Sequence, residues 1–109
     1  MNYTIHYYDQ SVKTDINALP MGLRVRYAIL TKRMIDIGAN LGEPHSKALG
    51  NGLFELRLKS EEGIARVLYC TLIGRKIVML HSFVKKTQKT PLKELRIAEA
   101  RMKEIKHDA

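Results

Sequence analysis

Apolar and polar residues recur along this chain with two different periods, and the change of period divides it. From Tyr3 to Tyr8 the run is short and rich in β-forming residues, which predicts a strand. Asp9 or Ser11 can cap a helix after it. Val12, Ile16 and Leu19 fall at helical spacing through Ser11–Leu19, barely two turns. Pro20 ends that helix or opens the next, since its fixed φ suits a first helical turn. Between Met21 and Ile37, the residues Leu23, Tyr27, Leu30, Met34 and Ile37 repeat every three to four positions. That is an amphipathic helix, with Arg24, Lys32, Arg33 and Asp36 mostly on other faces, and Gly38 is its natural stop. The two helices are expected to form a hairpin over one face of a sheet. Ala39–Gly52, with Asn40, Gly42, Pro44, Gly50, Asn51 and Gly52, reads as a loop.

After this loop the period drops to two. Phe54, Leu56 and Leu58 alternate with Glu55, Arg57 and Lys59, giving a half-buried strand with one charged face. Ser60-Glu61-Glu62-Gly63 is a hairpin turn, Ile64–Leu72 a second strand, and Ile73-Gly74-Arg75-Lys76 another turn. Ile77–Val84 is a third strand, apolar on both faces at first and therefore expected to be central. Lys85-Lys86-Thr87-Gln88-Lys89-Thr90 is a basic loop. Thr90 as N-cap with Pro91 at the first position opens a last helix, whose buried stripe is Leu95, Ala98, Met102 and Ile105. The order β-α-α-β-β-β-α predicts an α+β fold built on an antiparallel meander, and the whole span 1–109 reads as one domain.

Composition adds a charge. Lys and Arg number 19 against 11 Asp and Glu, a net +8 on 109 residues. Such a balance favours a polyanionic partner, nucleic acid or an anionic surface; the plainer account is charge carried for solubility. The single cysteine, Cys70, lies in an apolar run and allows no disulfide within the chain, which points to a reducing compartment and to a small packed residue rather than a nucleophile. The start resembles neither a signal peptide nor a transit peptide, and no apolar run approaches a membrane span. A cytoplasmic location with no membrane contact is expected. The histidines His6, His45, His81 and His107 lack ligand spacing, so no metal and no cofactor are expected.

The chemistry left to the chain is its cations. If the hairpin pairs symmetrically about Glu61-Glu62, Lys59 lies near Ile64 and Arg57 near Arg66. Like charges side by side on a sheet repel. The face is either a phosphate clamp or an ordinary solvated strand face, and spacing alone leaves both open. His81 and Phe83 share a strand face with Lys85 beyond. His81 is either an acid or base near neutral pH or a packed core residue. Phe83 is either a stacking surface for a base or core. Lys85, Lys86 and Lys89 precede a helix N-terminus, where backbone amides add partial positive charge.

Leu53-Phe54-Glu55-Leu56-Arg57-Leu58-Lys59, then Arg66-Val67-Leu68-Tyr69, then Lys76 through Phe83-Val84-Lys85-Lys86-Thr87-Gln88-Lys89-Thr90-Pro91, resemble the RelE/HigB toxin superfamily, most of all its phage-derived HigB-like branch. Pro44-His45-Ser46-Lys47-Ala48-Leu49-Gly50 resembles the family's proline-lysine-leucine loop ahead of the sheet. The likeness runs from about Tyr3 to Ile105 and is specific from Leu53 to Pro91. It implies a RelE-like fold, with an N-terminal strand and helical hairpin on an antiparallel sheet of about four strands and a C-terminal helix. It implies the toxin of a type II toxin–antitoxin system, a metal-independent, ribosome-dependent endoribonuclease whose cut uses the 2′-hydroxyl of the translated mRNA. Implied partners are mRNA on the ribosome and a helix-turn-helix, HigA-like antitoxin, with operator DNA reached only through that antitoxin.

By this resemblance Arg66 holds the scissile phosphate. Arg57 and Lys59 are basic strand residues of the site, and Lys85 and Lys86 are the basic pair after the last strand. Phe83, Lys89 and Lys47 would contact RNA. Glu55 stands where some members carry a lysine, and the tyrosine that some place at the last helix is replaced by Pro91-Leu92-Lys93. The proton-transfer group therefore stays open among Glu55, His81 and Lys85. Two other readings keep the fold without the chemistry: a non-catalytic RNA- or DNA-binding module, and a decayed toxin that only binds its antitoxin.

Overall fold

The computed structural model describes residues 2–86 and 89–108. Thr87 and Gln88, the middle of the expected basic loop, lie outside the described residues. Strand β1 (Thr4–Tyr7) leads into α1 (Gln10–Asn17), which starts where Asp9 turns extended and its carboxylate accepts the Val12 amide at 3.0 Å. Helix α2 (Met21–Ile37) comes directly after it, with Pro20 as its N-cap and Gly38 as its stop at φ 114°. A left-handed residue there is cheap for glycine and costly for any other. Then come β2 (Ser46–Gly50), β3 (Leu53–Ser60), β4 (Gly63–Leu72), β5 (Lys76–Val84) and α3 (Leu92–Asp108).

The α+β class expected from the sequence holds, with two differences in the sheet. Among the described residues there are five strands, in the order β1-β5-β4-β3-β2. Strand β2 lies inside the segment expected to be loop, since Ser46–Gly50 shows no alternation and ends on glycine. It is fixed by contacts distant in sequence. Ser46 Oγ accepts the Leu41 and Gly42 amides at 2.8 and 3.1 Å, and the Tyr69 hydroxyl donates to the Ala39 carbonyl at 2.6 Å. The sheet is also mixed, because β1 pairs parallel to β5 while the other neighbours are antiparallel. Strand β5 is internal, as its apolar stretch required.

Each face of the sheet has its own core. Leu56, Leu58, Ala65, Val67, Tyr69, Ile77 and Met79 pack under α1 and α2, against Val12, Ile16, Leu23, Leu30 and Met34. Ile37, expected in that stripe, is 68% exposed at the helix end. On the opposite face, α3 sets Ala98 and Met102 on Leu53, Leu68, Cys70, Val78 and Leu80. Helix α3 packs on β4 and β5, and the far ends of β3 and β4 on this face stay open.

One irregularity decides what that open face carries. Tyr69 pairs with Met79 but Leu68 pairs with His81, so Leu80 is an extra residue. A bulge of one residue reverses the facing of everything after it. Ile77 and Met79 point under α1 and α2, whereas His81 and Phe83 turn to the open face.

Candidate functional site

Arg57 and Arg66 stand directly opposite each other on β3 and β4, and Lys59 pairs with Ile64, the register expected from the hairpin. Phe83 lies on the other side of Arg66, and Lys47 of β2 lies opposite Glu55. Strand alternation thus puts Lys47, Glu55, Arg57, Lys59, Arg66, His81 and Phe83 on one face.

Glu55 is the hub. It is 3% exposed. Its Oε2 lies 3.3 Å from Arg57 Nε and its Oε1 lies 3.6 Å from Arg66 Nε. The Thr90 hydroxyl donates to the same Oε1 and so ties the entry of α3 to the sheet. Arg57 also meets the exposed Glu43 at 3.3 Å. One buried carboxylate therefore faces two guanidinium groups. Arg66 donates from Nη1 to the Ala65 carbonyl at 3.2 Å, while its buried Nε has no hydrogen-bond partner among the described residues. Burial lowers the Arg66 pKa, with Arg57 adding to the effect and Glu55 opposing it; a guanidinium stays charged all the same.

Lys85 extends the β5 ladder, its amide donating to the Ile64 carbonyl at 2.8 Å. Burial holds its ammonium below the usual lysine range, and the neighbouring Arg66, Arg57 and Lys47 push the same way against Glu55. Those neighbours place the Lys85 charge within the cluster. Lys86 and Lys89 are exposed between β5 and α3. No hydrogen bond or ion pair joins Lys86 to the cluster among the described residues. His81 Nε2 lies 2.9 Å from Glu94 Oε1 of α3, and its ring stacks on Phe83 with centroids 5.9 Å apart. Phe83 also packs against the α3-side core and stands opposite Arg66 in the sheet.

A cleft of about 280 Å³ opens over this surface, lined by Arg57, Lys59 and Arg66 and also by Arg26, Pro44 and His45. Sequence reading missed Arg26. It belongs to a helix on the opposite face of the sheet, and nothing in its spacing shows that it reaches the sheet edge. His45 and Glu94 were equally silent. The His45 carbonyl accepts the Arg57 amide at 2.8 Å and so brings its loop to the cleft. Glu94 acquires its meaning only when α3 is laid across β5.

Cys70 is fully buried, and burial raises its thiol pKa, so it packs as a small apolar residue. Among the described residues no helix is long and apolar enough to cross a membrane.

The arrangement gathers cations around one concave patch with a partly desolvated ammonium beside it. It can hold a phosphodiester and stabilise charge that builds on it. No curated protein matches the chain. The profile of one family, phage derived protein Gp49-like (DUF891), matches residues 14–103, from within α1 to within α3 and including every strand of the cationic face. The chain therefore belongs to the phage-derived Gp49-like family, which is of the RelE/HigB-like toxin kind.

Proposed function

We propose that this protein is the toxin of a type II toxin–antitoxin pair and cleaves mRNA on the ribosome by attack of the 2′-hydroxyl on its own phosphodiester. The observation that carries this reading is the convergence of Arg57, Arg66 and Lys85 on the part of the sheet face beyond α3, with the buried Arg66 Nε lacking a hydrogen-bond partner among the described residues. In this mechanism the bond from the 2′ oxygen to phosphorus forms as the bond from phosphorus to the 5′ oxygen breaks. The products are a 2′,3′-cyclic phosphate and a 5′-hydroxyl. Arg66 and Arg57 hold the non-bridging oxygens, where charge increases in the transition state. Lys85, with its lowered pKa, protonates the leaving 5′ oxygen. His81, oriented by Glu94, takes the 2′ proton. Lys59, Lys47, Lys86 and Lys89 supply long-range attraction to the strand. The inhibitory partner is a helix-turn-helix antitoxin, through which operator DNA is reached.

Induced expression in bacteria is expected to arrest growth and leave mRNA fragments with cyclic-phosphate ends. Arg66→Ala should abolish both while the purified variant keeps its circular dichroism spectrum. Arrest and cleavage undiminished in that variant would remove Arg66 from the mechanism. Salt-dependent RNA binding with no cleavage on translating ribosomes would replace the enzyme by a binding module.

A further inference from the structure

Strand β2 begins only at Ser46, so the outer edge of β3 beyond Arg57 has no strand beside it; the last backbone bond there is Arg57 to the His45 carbonyl. Helix α2 begins close under this edge. The Gly22 amide donates to Glu62 Oε1 at 2.5 Å, and a Cβ on Gly22 would lie 2.6 Å from that oxygen and 3.0 Å from Ser60, so the helix start and the hairpin approach closely. Arg26 is one turn further along the same side of the helix. It arrives at the open edge, lines the cleft with His45, Arg57, Lys59 and Arg66, and is half-buried there. Arg57 has Glu43 and Glu55 as partners. Arg26 and Lys59 have no hydrogen bond or ion pair among the described residues, and no carboxylate lines the cleft. Four cations thus share one cleft, two of them without an ion-pair partner among the described residues, and an anion seated between them would offset their mutual repulsion.

We infer that the edge of the cleft, between Arg26 and Lys59, is a second phosphate subsite for single-stranded RNA, taking the phosphate next to the one on Arg66. This rests on the ribonuclease reading. The strand then crosses the sheet face at Arg66 and leaves over the free edge of β3, and Arg26 acts in binding rather than in bond breaking.

The test is binding at low ionic strength of a dinucleotide with one phosphate and a trinucleotide with two, each carrying deoxyribose at the cleaved position so that neither is cut. Wild type should bind the trinucleotide more tightly. Arg26→Gln should weaken the trinucleotide roughly tenfold, the loss of one charge-assisted contact, and leave the dinucleotide unchanged. The slope of log affinity against log salt should fall by about 0.7, the value of one phosphate on a single strand. Arg26→Lys should keep the slope, as expected if charge rather than helix packing is read. An unchanged trinucleotide affinity and slope in Arg26→Gln, while Arg66→Gln weakens both oligonucleotides, would overturn the subsite alone. Equal wild-type affinity for the two oligonucleotides would do the same. Failure of wild type to bind either one would overturn the subsite, whereas growth arrest without mRNA cleavage on ribosomes would overturn the ribonuclease reading on which it rests.

Discussion

Glu55 concentrates the residue-scale logic of this protein. A carboxylate beside a cationic cleft opposes anion binding, yet this one is buried and engaged by Arg57, Arg66 and Thr90. It pairs with two guanidinium groups on the sheet face. Removing one partner of a buried ion pair leaves the other uncompensated, typically at about 3–5 kcal/mol. Glu55→Ala is therefore expected to lower unfolding stability by about that amount, measured by urea denaturation. Inorganic phosphate should restore part of the loss by supplying the missing negative charge. Glu55→Ala as stable as wild type, with no gain from phosphate, would show that the arginines do not depend on it. The sequence marked Glu55 as a departure from a lysine and as one candidate for proton transfer. Its burial and its contacts with Arg57, Arg66 and the Thr90 hydroxyl, just ahead of α3, come from elements that only the fold brings together.

Among the elements, β5 and the segment before β2 show how much packing adds to pattern. Uninterrupted alternation would put Ile77, Met79, His81 and Phe83 on one side. The bulge at Leu80 instead divides them, so the first two serve the core and the last two the site. No turn residue marks that bulge. The segment before β2 depends on a distant tyrosine. Tyr69 is buried, its hydroxyl donates to the Ala39 carbonyl, and burial pushes its pKa from 10.0 up to about 12. The folded pKa is raised above the unfolded one, so this contribution to stability is fully present below pH 10. It is lost as pH rises from 10 towards about 12. Tyr69→Phe should cost about 0.5–1.5 kcal/mol at neutral pH through the lost hydrogen bond. Its stability should then decline less steeply than that of wild type above pH 10. Parallel curves for the two proteins would disconnect the tyrosine from the alkaline limb.

For the whole molecule, the net charge of +8 becomes a directed property, because the fold leaves one sheet face partly uncovered and puts cations there. Association with RNA should weaken steeply with salt, each phosphate neutralised contributing about 0.7 to the logarithmic slope. Replacing the cleft residues Lys59 and Arg66 by Gln should reduce that slope. Replacing Lys103 and Lys13, on other elements of the fold, should leave it nearly unchanged. Equal effects of the two pairs in fluorescence anisotropy titrations would mean that net charge alone, without the cleft, drives binding.

The chain's own periodicity determined α2 to the residue, the β3–β4 hairpin with Arg57 facing Arg66, the internal position of β5 and the buried stripe of α3. These depend on neighbours a few positions away, which a linear sequence displays. Only the tertiary structure decided the parallel pairing of β1, the existence of β2, the reversal of facing at Leu80, the burial of Glu55 and the arrival of Arg26 at the sheet edge. Each of these joins segments far apart in the chain. The energy that settles them is packing and electrostatic pairing between elements, and it has no period along the sequence.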